Sequence, residues 1–230
     1  MKKIVIILPM LFVATFFVHS QVTTVLVNAN KPIDESRYED IKRSPYLFDD
    51  FVEAILIDTK ARNTVRAKVN YNGYEKEFEF ESEGKKYFLD ATYYAKISMK
   101  NGVLNGAYQD KYMSGDSTVF IKGINPNNHE AHQIALLMSD GLNIIKSYEV
   151  DVVERKVEDV GRTIVRKYFA PKFYYFSVKQ GQTDQFKLNK KGIQETFNSK
   201  AVNDYIKNEK LKLTTDAELM QVIRYFQSLQ

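Results

Sequence analysis

Two of the three histidines lie three positions apart in one short segment, so this segment is the first candidate for metal chemistry. It reads INPNNHEAHQ, residues 124–133, and contains His129, Glu130 and His132. A helical zinc motif places two histidines at i and i+4, with a glutamate beside the first and a third ligand further along. The spacing here is i, i+3, and the proline and asparagines favour a turn. We interpret the segment as a solvated loop, with metal binding by these three residues as the alternative.

Signatures of catalysis and of cofactor binding are missing from the sequence. The chain has no cysteine, no serine in a G-x-S-x-G elbow, no G-x-x-x-x-G-K-[ST] loop and no G-x-G-x-x-G fingerprint. Among its 29 acidic residues, no local pattern marks a pair for glycoside hydrolysis. We therefore predict that the protein is not an enzyme and uses no cofactor.

Tyrosines are the second group of candidate binding residues. The chain has 15 Tyr and no Trp, and tyrosines occur in pairs at Tyr93-Tyr94 and Tyr174-Tyr175. Tyrosines that project from a sheet can stack on sugars, while aromatic pairs on strands also make ordinary core and cross-strand contacts. These four tyrosines are the candidate contacts for a glycan or another small ligand.

The start of the chain predicts export. Lys2 and Lys3 precede an apolar run at residues 4–18, and the small residue Ser20 comes just before Gln21. This arrangement describes a secretory signal peptide. The run is shorter than the ~20 apolar residues of a membrane span, so a retained anchor is the alternative. We expect cleavage near Ser20-Gln21 and a mature chain without a transmembrane span, located in the periplasm or at the cell surface.

Charge and cysteine content restrict the partners and the source of stability. The chain has 33 Lys+Arg and 29 Asp+Glu, interspersed along its length, with no block of basic residues. Nucleic-acid binding needs a concentrated positive field, so we expect no nucleic-acid partner. Without disulfides, the fold must depend on hydrophobic burial, for which a mature chain of this length is sufficient.

Residues 51–188 alternate apolar and polar side chains in short runs separated by turn sequences. This pattern predicts antiparallel strands joined as hairpins. The clearest case is VRAKVNYNGYEKEFEFE, residues 65–81, with a type I′ turn at Asn72-Gly73. A second Asn-Gly turn at residues 101–102, a strand at 106–113 and separate strands at 142–154 and 172–179 are predicted in the same way.

The strand after Asn72-Gly73 carries a row of acidic side chains on one face: Glu75, Glu77, Glu79 and Glu81. Lysine and arginine on the preceding strand share that face, so the glutamates are expected to meet opposite charges across the ladder. We interpret the row as a solvated sheet face, with a calcium-binding row as the alternative.

The periodicity becomes helical after residue 190. Ser199 is a candidate N-cap, and Thr215 and Glu218 have the spacing of a capping box. An apolar stripe at i, i+3, i+4 and i+7 follows, and such a stripe must be buried on the sheet or on a partner protein. The residues of this stripe, which are the candidates for partner binding, are Leu219, Val222, Ile223 and Phe226.

The expected fold is mainly β, an antiparallel meander, sandwich or open barrel-like sheet with a short C-terminal helical tail. We expect four parts: a signal peptide at residues 1–20, an N-terminal segment at 21–50, an antiparallel β domain at 51–189, and a helical tail at 190–230 packed on that domain.

Two stretches together carry a resemblance to a known group of proteins. They are RSPYLFDDFVEAILI, residues 43–57, and the helical sequence at residues 187–229. The chain resembles uncharacterised exported β-rich proteins of Bacteroidota-type bacteria. The resemblance implies an envelope location and a β-rich fold, and it brings no catalytic residues.

These observations favour an exported, non-enzymatic structural or protein-interaction module of the bacterial cell envelope, whose partner is an envelope protein or a glycan. The alternative is a glycan-binding or small-ligand-binding module that uses exposed tyrosines. The sequence leaves open the identity of the partner, the oligomeric state, and the choice between a sandwich and an open barrel.

Overall fold

The structure is a computed structural model. It describes residues 31–60, 63–104, 112 and 115–230. The predicted signal peptide and most of the predicted strand at residues 106–113 lie outside these ranges.

The described chain forms eleven β-strands followed by three α-helices. The strands are β1 Ile41–Lys42, β2 Val52–Asp58, β3 Thr64–Asn72, β4 Glu77–Ser82, β5 Lys85–Leu89, β6 Tyr94–Lys100, β7 Ser117–Lys122, β8 His132–Ser139, β9 Leu142–Asp159, β10 Arg162–Lys179 and β11 Gln182–Phe186. The helices are α1 Lys190–Phe197, α2 Lys200–Asn208 and α3 Asp216–Gln227.

All eleven strands belong to one open sheet. Its order is β1-β10-β9-β8-β7-β6-β2-β3-β4-β5, and β11 pairs with β10 beside this path. Every pair of strands is antiparallel except β1 and β10, which are parallel. The prediction of a mainly β fold with a C-terminal helical tail is therefore confirmed, and the sheet is mixed. No helix in the described ranges is long and apolar enough to cross a membrane.

The hairpin at the C-terminal side of the sheet is longer than its sequence pattern predicts. β9 and β10 each contain 18 residues, and their register runs without a bulge from Asn143–Val178 to Asp159–Arg162. The predicted strands at 142–154 and 172–179 are the proximal parts of these two strands. The predicted hairpin turn at Asn101-Gly102 is wrong. β6 pairs with β7, and the residues after β6 lead to Leu104, which forms a β-bridge with Phe48.

One face of the β9–β10 hairpin contributes to two hydrophobic cores in succession. In its middle, Tyr148, Val150 and Phe169 pack with apolar side chains of β2 to β8. Nearer the β8–β9 turn, Leu142 and Ile144 pack under the three helices. Because side chains two residues apart share a face of a strand, a single apolar face supplies both cores.

The N-terminal segment contacts both outer edges of the sheet. The backbone N–H of Ile33 donates to the carbonyl of Lys86 at 3.0 Å, which places this segment against the outer edge of β5. Eight residues later, β1 begins, and it pairs with β10 at Lys167 and Tyr168. An edge covered in this way is protected from pairing with other chains.

The acidic row on β4 is only partly a solvated face, which corrects the interpretation from sequence. Glu79 is 0 % exposed. Its carboxylate accepts hydrogen bonds from Arg37 at 2.6 Å, from the hydroxyl of Tyr46 at 2.6 Å and from the amide of Asn72 at 2.9 Å. The N-terminal segment thus covers this part of the sheet and supplies its counter-charge, while Glu77 stays exposed.

We predict that Glu79→Gln lowers the free energy of unfolding by about 3 kcal/mol, because it leaves the largely buried guanidinium of Arg37 without its counter-charge. Glu77→Gln, on the same strand and face, is the matched control and should change stability by less than about 0.5 kcal/mol. Urea denaturation of both variants measures the difference. Equal stability of the two variants would contradict a structural role for the buried carboxylate.

Candidate functional site

The histidine segment is a loop whose polar groups bond to the protein. His129 is exposed, Glu130 forms an ion pair with Lys122 at 2.7 Å, and Nε2 of His132 lies 2.8 Å from the carbonyl of Tyr94. The hydrogen bond from Lys122 lowers the pKa of Glu130. No group of three or more potential metal-ligating side chains occurs among the residues that the structure describes. The solvated-loop interpretation fits the first two residues, whereas His132 is half-buried.

His132 is held as a neutral ring by its surroundings. A backbone carbonyl only accepts hydrogen bonds, so Nε2 carries the proton that is donated to Tyr94. The ring also meets the edge of Phe78, with the two centroids 5.5 Å apart. Burial lowers the pKa of His132. The side chain of His132, at the start of β8, therefore packs between the backbone of Tyr94 and the ring of Phe78.

The four candidate tyrosines do not form one surface. Tyr93 is 67 % exposed, Tyr94 and Tyr174 are half-buried, and Tyr175 is only 3 % exposed. The hydroxyl of Tyr175 donates to Asp216 at 2.6 Å, and its burial and this carboxylate raise its pKa far above the ordinary value. The prediction of an exposed Tyr175 is wrong, because its ring belongs to the core under the helices.

The apolar stripe of α3 is buried within the chain itself. Leu219, Val222 and Ile223 are each 0 % exposed and pack in the core between the helices and the sheet. Phe226 lies at the border of this core, with its ring centroid 5.1 Å from that of Phe197. These four residues are therefore not a free surface for a partner protein, and the packing on the sheet is the correct alternative.

A buried ionic cluster lies where the two cores meet. Nζ of Lys146 on β9 is 2.5 Å from Oδ2 of Asp216 at the start of α3, and Lys146 also donates to the carbonyl of Tyr112. The ring of Phe173 lies 4.2 Å below the ammonium group. Burial lowers the pKa of Lys146, and the carboxylate of Asp216 opposes that effect. Because every partner is supplied by the protein, this cluster fixes the helices on the sheet.

A cavity of about 800 Å³ opens between β4, β9 and the histidine loop. Its floor is aromatic: Tyr71 lies between Phe78 and Phe120, with centroids 4.9 and 5.0 Å away. On its rim, Glu149 is bonded to Lys76 at 3.1 Å. The size suits a small ligand, although much of its polar rim is already bonded to the protein.

The distal part of the long hairpin is the most distinctive surface of the described chain. We call residues 153–168 the arm. Within the arm, the two strands pair with each other, and in the described ranges the only other strand that pairs with them is β1, at the base of the arm. At about 3.3 Å per residue, the arm projects roughly 20 Å beyond that base. It ends in the two-residue turn Val160-Gly161, in which both residues have positive φ, as in a type I′ turn.

The two faces of the arm differ in composition. The register pairs Arg155 with Arg166 and Tyr168 with Val153, so these four side chains share one face. Arg162 and Asp159 continue that face towards the turn. The opposite face carries the following side chains: Glu154, Lys156, Glu158, Thr163, Val165 and Lys167. All arginines of the arm are thus on one side, and lysines and glutamates are on the other.

The sequence contains a signal for the arm. In the segment VERKVEDVGRTIVRKY, Val153 and Val157 precede Val160-Gly161 at the same distances at which Tyr168 and Ile164 follow it, so the two halves can pair as a hairpin. This symmetry of the sequence could have predicted the full length of both strands. That no other strand except β1 pairs with the arm in the described ranges can be seen only in the three-dimensional structure.

Comparisons of the chain with protein-family models, with curated proteins and with solved structures gave no match.

We predict that Lys146→Met and Asp216→Leu each lower the free energy of unfolding by about 3–5 kcal/mol, because each leaves one buried charge without its partner. The double variant should recover most of this loss, since two apolar side chains of similar volume need no counter-charge. Chemical denaturation of the three variants forms a double-mutant cycle. A double variant that is as unstable as the sum of the singles would contradict the pairing.

We predict that stability falls on acidification below about pH 6.5, the pKa of an unperturbed histidine, and that His132 contributes to this fall. The folded state has the lower pKa, so the unfolded state binds more protons between the two pKa values, and the free energy of unfolding rises with pH in that window. His132→Gln should reduce the dependence. His129→Gln is the control, and an equal effect of both substitutions in thermal unfolding from pH 5 to 7.5 would contradict the assignment.

Proposed function

We propose that this chain is a non-enzymatic protein-interaction module of the bacterial cell envelope, and that the arm is the element that contacts its partner protein. The export-type start of the sequence and the resemblance to exported β-rich proteins support the envelope location. The arm, a two-stranded projection without a covering element in the described chain, is the single observation that carries the interaction role.

The stability of the arm on its own is low. An isolated two-stranded hairpin is marginally stable in water, and it usually needs a third strand or a packed face. Along the arm, residues 153–159 of β9 and 162–166 of β10 have no ladder partner on their outer edges among the described residues. Free edges of this kind accept an added strand, and free faces accept a docked surface. A partner on the arm would provide the missing contacts.

The tip of the arm supports the same function. Val160 is 97 % exposed and has a φ of +46°. A β-branched residue is unfavourable in this left-handed region, where Asn or Gly is preferred. The side chain contributes no packing to the body of the protein, so its position at a strained turn favours a contact outside the chain.

The cavity beside the histidine loop favours small-ligand binding less strongly. Its aromatic floor is formed by rings such as Phe78 and Phe120, which contact each other edge to face and are almost completely buried in the core. Its rim uses Glu130 and Glu149 in ion pairs within the protein. The arm, in contrast, leaves its arginines and its tip accessible.

The proposal is tested by replacing residues 154–167 with Asn-Gly. This change brings the turn back to the Val153–Tyr168 pair, six residues from the native closing pair Asp159–Arg162, so the hydrogen-bonding type of the closing pair is kept. The body should remain folded by circular dichroism and thermal unfolding. A crosslinking pull-down from native envelopes should recover a partner with the full chain and lose it with the shortened arm. Recovery of the same partners by both forms would overturn the proposal.

A further inference from the structure

We propose that the arm recognises an acidic, extended segment of its partner through one face, a proposal that rests on the proposed function. We call this surface the arginine face. Its residues are Arg43, Val153, Arg155, Val157, Asp159, Arg162, Ile164, Arg166 and Tyr168.

Charge is unequally distributed between the two faces of the arm. Within residues 153–168, all of which the structure describes, Asp159 is the only carboxylate on the arginine face. Arg43, next to β1, adds a further positive charge beside Tyr168. On the opposite face, two lysines are matched by two glutamates. The positive charge of the arm is therefore concentrated on one side.

The centre of the arginine face is an unfavourable arrangement for the chain alone. Arg155 and Arg166 lie directly opposite each other in the ladder, and like charges in this position destabilise a sheet. Arg166 is paired with Asp159 near the tip. Neither Arg155 nor Arg43 forms an ion pair with any residue in the described ranges. A carboxylate placed between the two opposed guanidinium groups would remove the repulsion.

Tyr168 orients two of these arginines. The guanidinium of Arg43 lies 5.6 Å from the centroid of its ring, and that of Arg155 lies 5.7 Å from it. Stacking on an aromatic ring leaves the N–H donors of an arginine free at their edges. Those donors form a planar fork that suits a carboxylate in bidentate geometry. The face thus presents oriented donors to an acidic group.

The remaining side chains of the face favour a protein partner over a membrane surface. Val153, Val157 and Ile164 are half-buried: Val153 lies opposite Tyr168, and Val157 and Ile164 lie opposite each other between the Arg155–Arg166 and Asp159–Arg162 pairs. Arginine, tyrosine and aliphatic side chains together are typical of the centre of a protein interface, which is poor in lysine. A purely electrostatic attraction to anionic lipid would use lysine equally well, and here each lysine shares its face with a glutamate. A narrow ribbon of two strands suits a segment that lies along it in extended form.

The test compares two charge reversals of equal size on opposite faces. Arg155→Glu/Arg166→Glu alters the arginine face, and Lys156→Glu/Lys167→Glu alters the other face by the same net charge. The probe is a fluorescein-labelled peptide of alternating glutamate and leucine, eight residues long, added to the full chain in an anisotropy titration. We expect at least a tenfold loss of affinity for the first variant and less than a twofold loss for the second. Binding should also weaken as salt is raised.

Each other outcome overturns the inference. Absence of binding, or equal losses for both reversals, would show that the arginine face has no specific role. Anionic phosphatidylglycerol vesicles that bind the wild type and are released equally by both reversals would indicate a membrane surface instead. Arg155→Gln/Arg166→Gln repeats the test without introducing new repulsion, and circular dichroism checks that each variant is folded. A pull-down in which the shortened arm loses the partner but Arg155→Glu/Arg166→Glu keeps it would leave the proposed function intact and refute the acidic segment.

Discussion

The uninterrupted ladder between β9 and β10 determines where the other layers of the molecule lie. Side chains on one face of this ladder first meet the helices, then the hairpins of the sheet, and beyond Phe169 they meet no covering element in the described chain. A bulge anywhere along the ladder would move the following apolar side chains to the opposite face. The constant register is therefore what allows one hairpin to support two cores and still continue as the arm.

The junction of the two cores shows why a charged pair occurs inside this protein. Lys146 and Asp216 are both buried, and their attraction offsets a desolvation cost that two apolar side chains would not incur. Their geometry also specifies one arrangement: Asp216 lies in the first turn of α3, where the helix dipole favours a carboxylate. Only one position of α3 on the sheet places that carboxylate on the ammonium group. We infer that the pair contributes to the specificity of helix docking more than to its strength.

Features that depend on nearby residues could be predicted from the sequence, and features that depend on distant residues could not. The caps at Ser199 and Thr215 are local, and the structure has both. The predicted type I′ turn at Asn72-Gly73 is wrong: Asn72 pairs with Glu77 across a loop at residues 73–76, and the backbone of Gly73 bonds to Pro45 and Val150, which are distant in the chain. Glu79 appeared solvated because its partner Arg37 is 42 residues away. Tyr175 appeared exposed because Asp216 lies 41 residues later in the chain. Alternation predicts which side chains share a face, but it does not tell which element covers that face.

The two faces of the arm together explain how a projecting hairpin can remain specific. An uncovered sheet edge or face invites association with unrelated chains, and charged side chains, lysines above all, reduce this tendency. On the arm, one face has charges of both signs, and the hydroxyl of Thr163 donates to Glu158 at 3.0 Å. That face is well hydrated and nearly neutral. The arginine face has only one carboxylate, Asp159, which pairs with Arg166. A partner that supplies carboxylates can therefore form ion pairs with the remaining arginines. Selectivity then comes from the difference between the two faces, which a uniformly charged hairpin would not have.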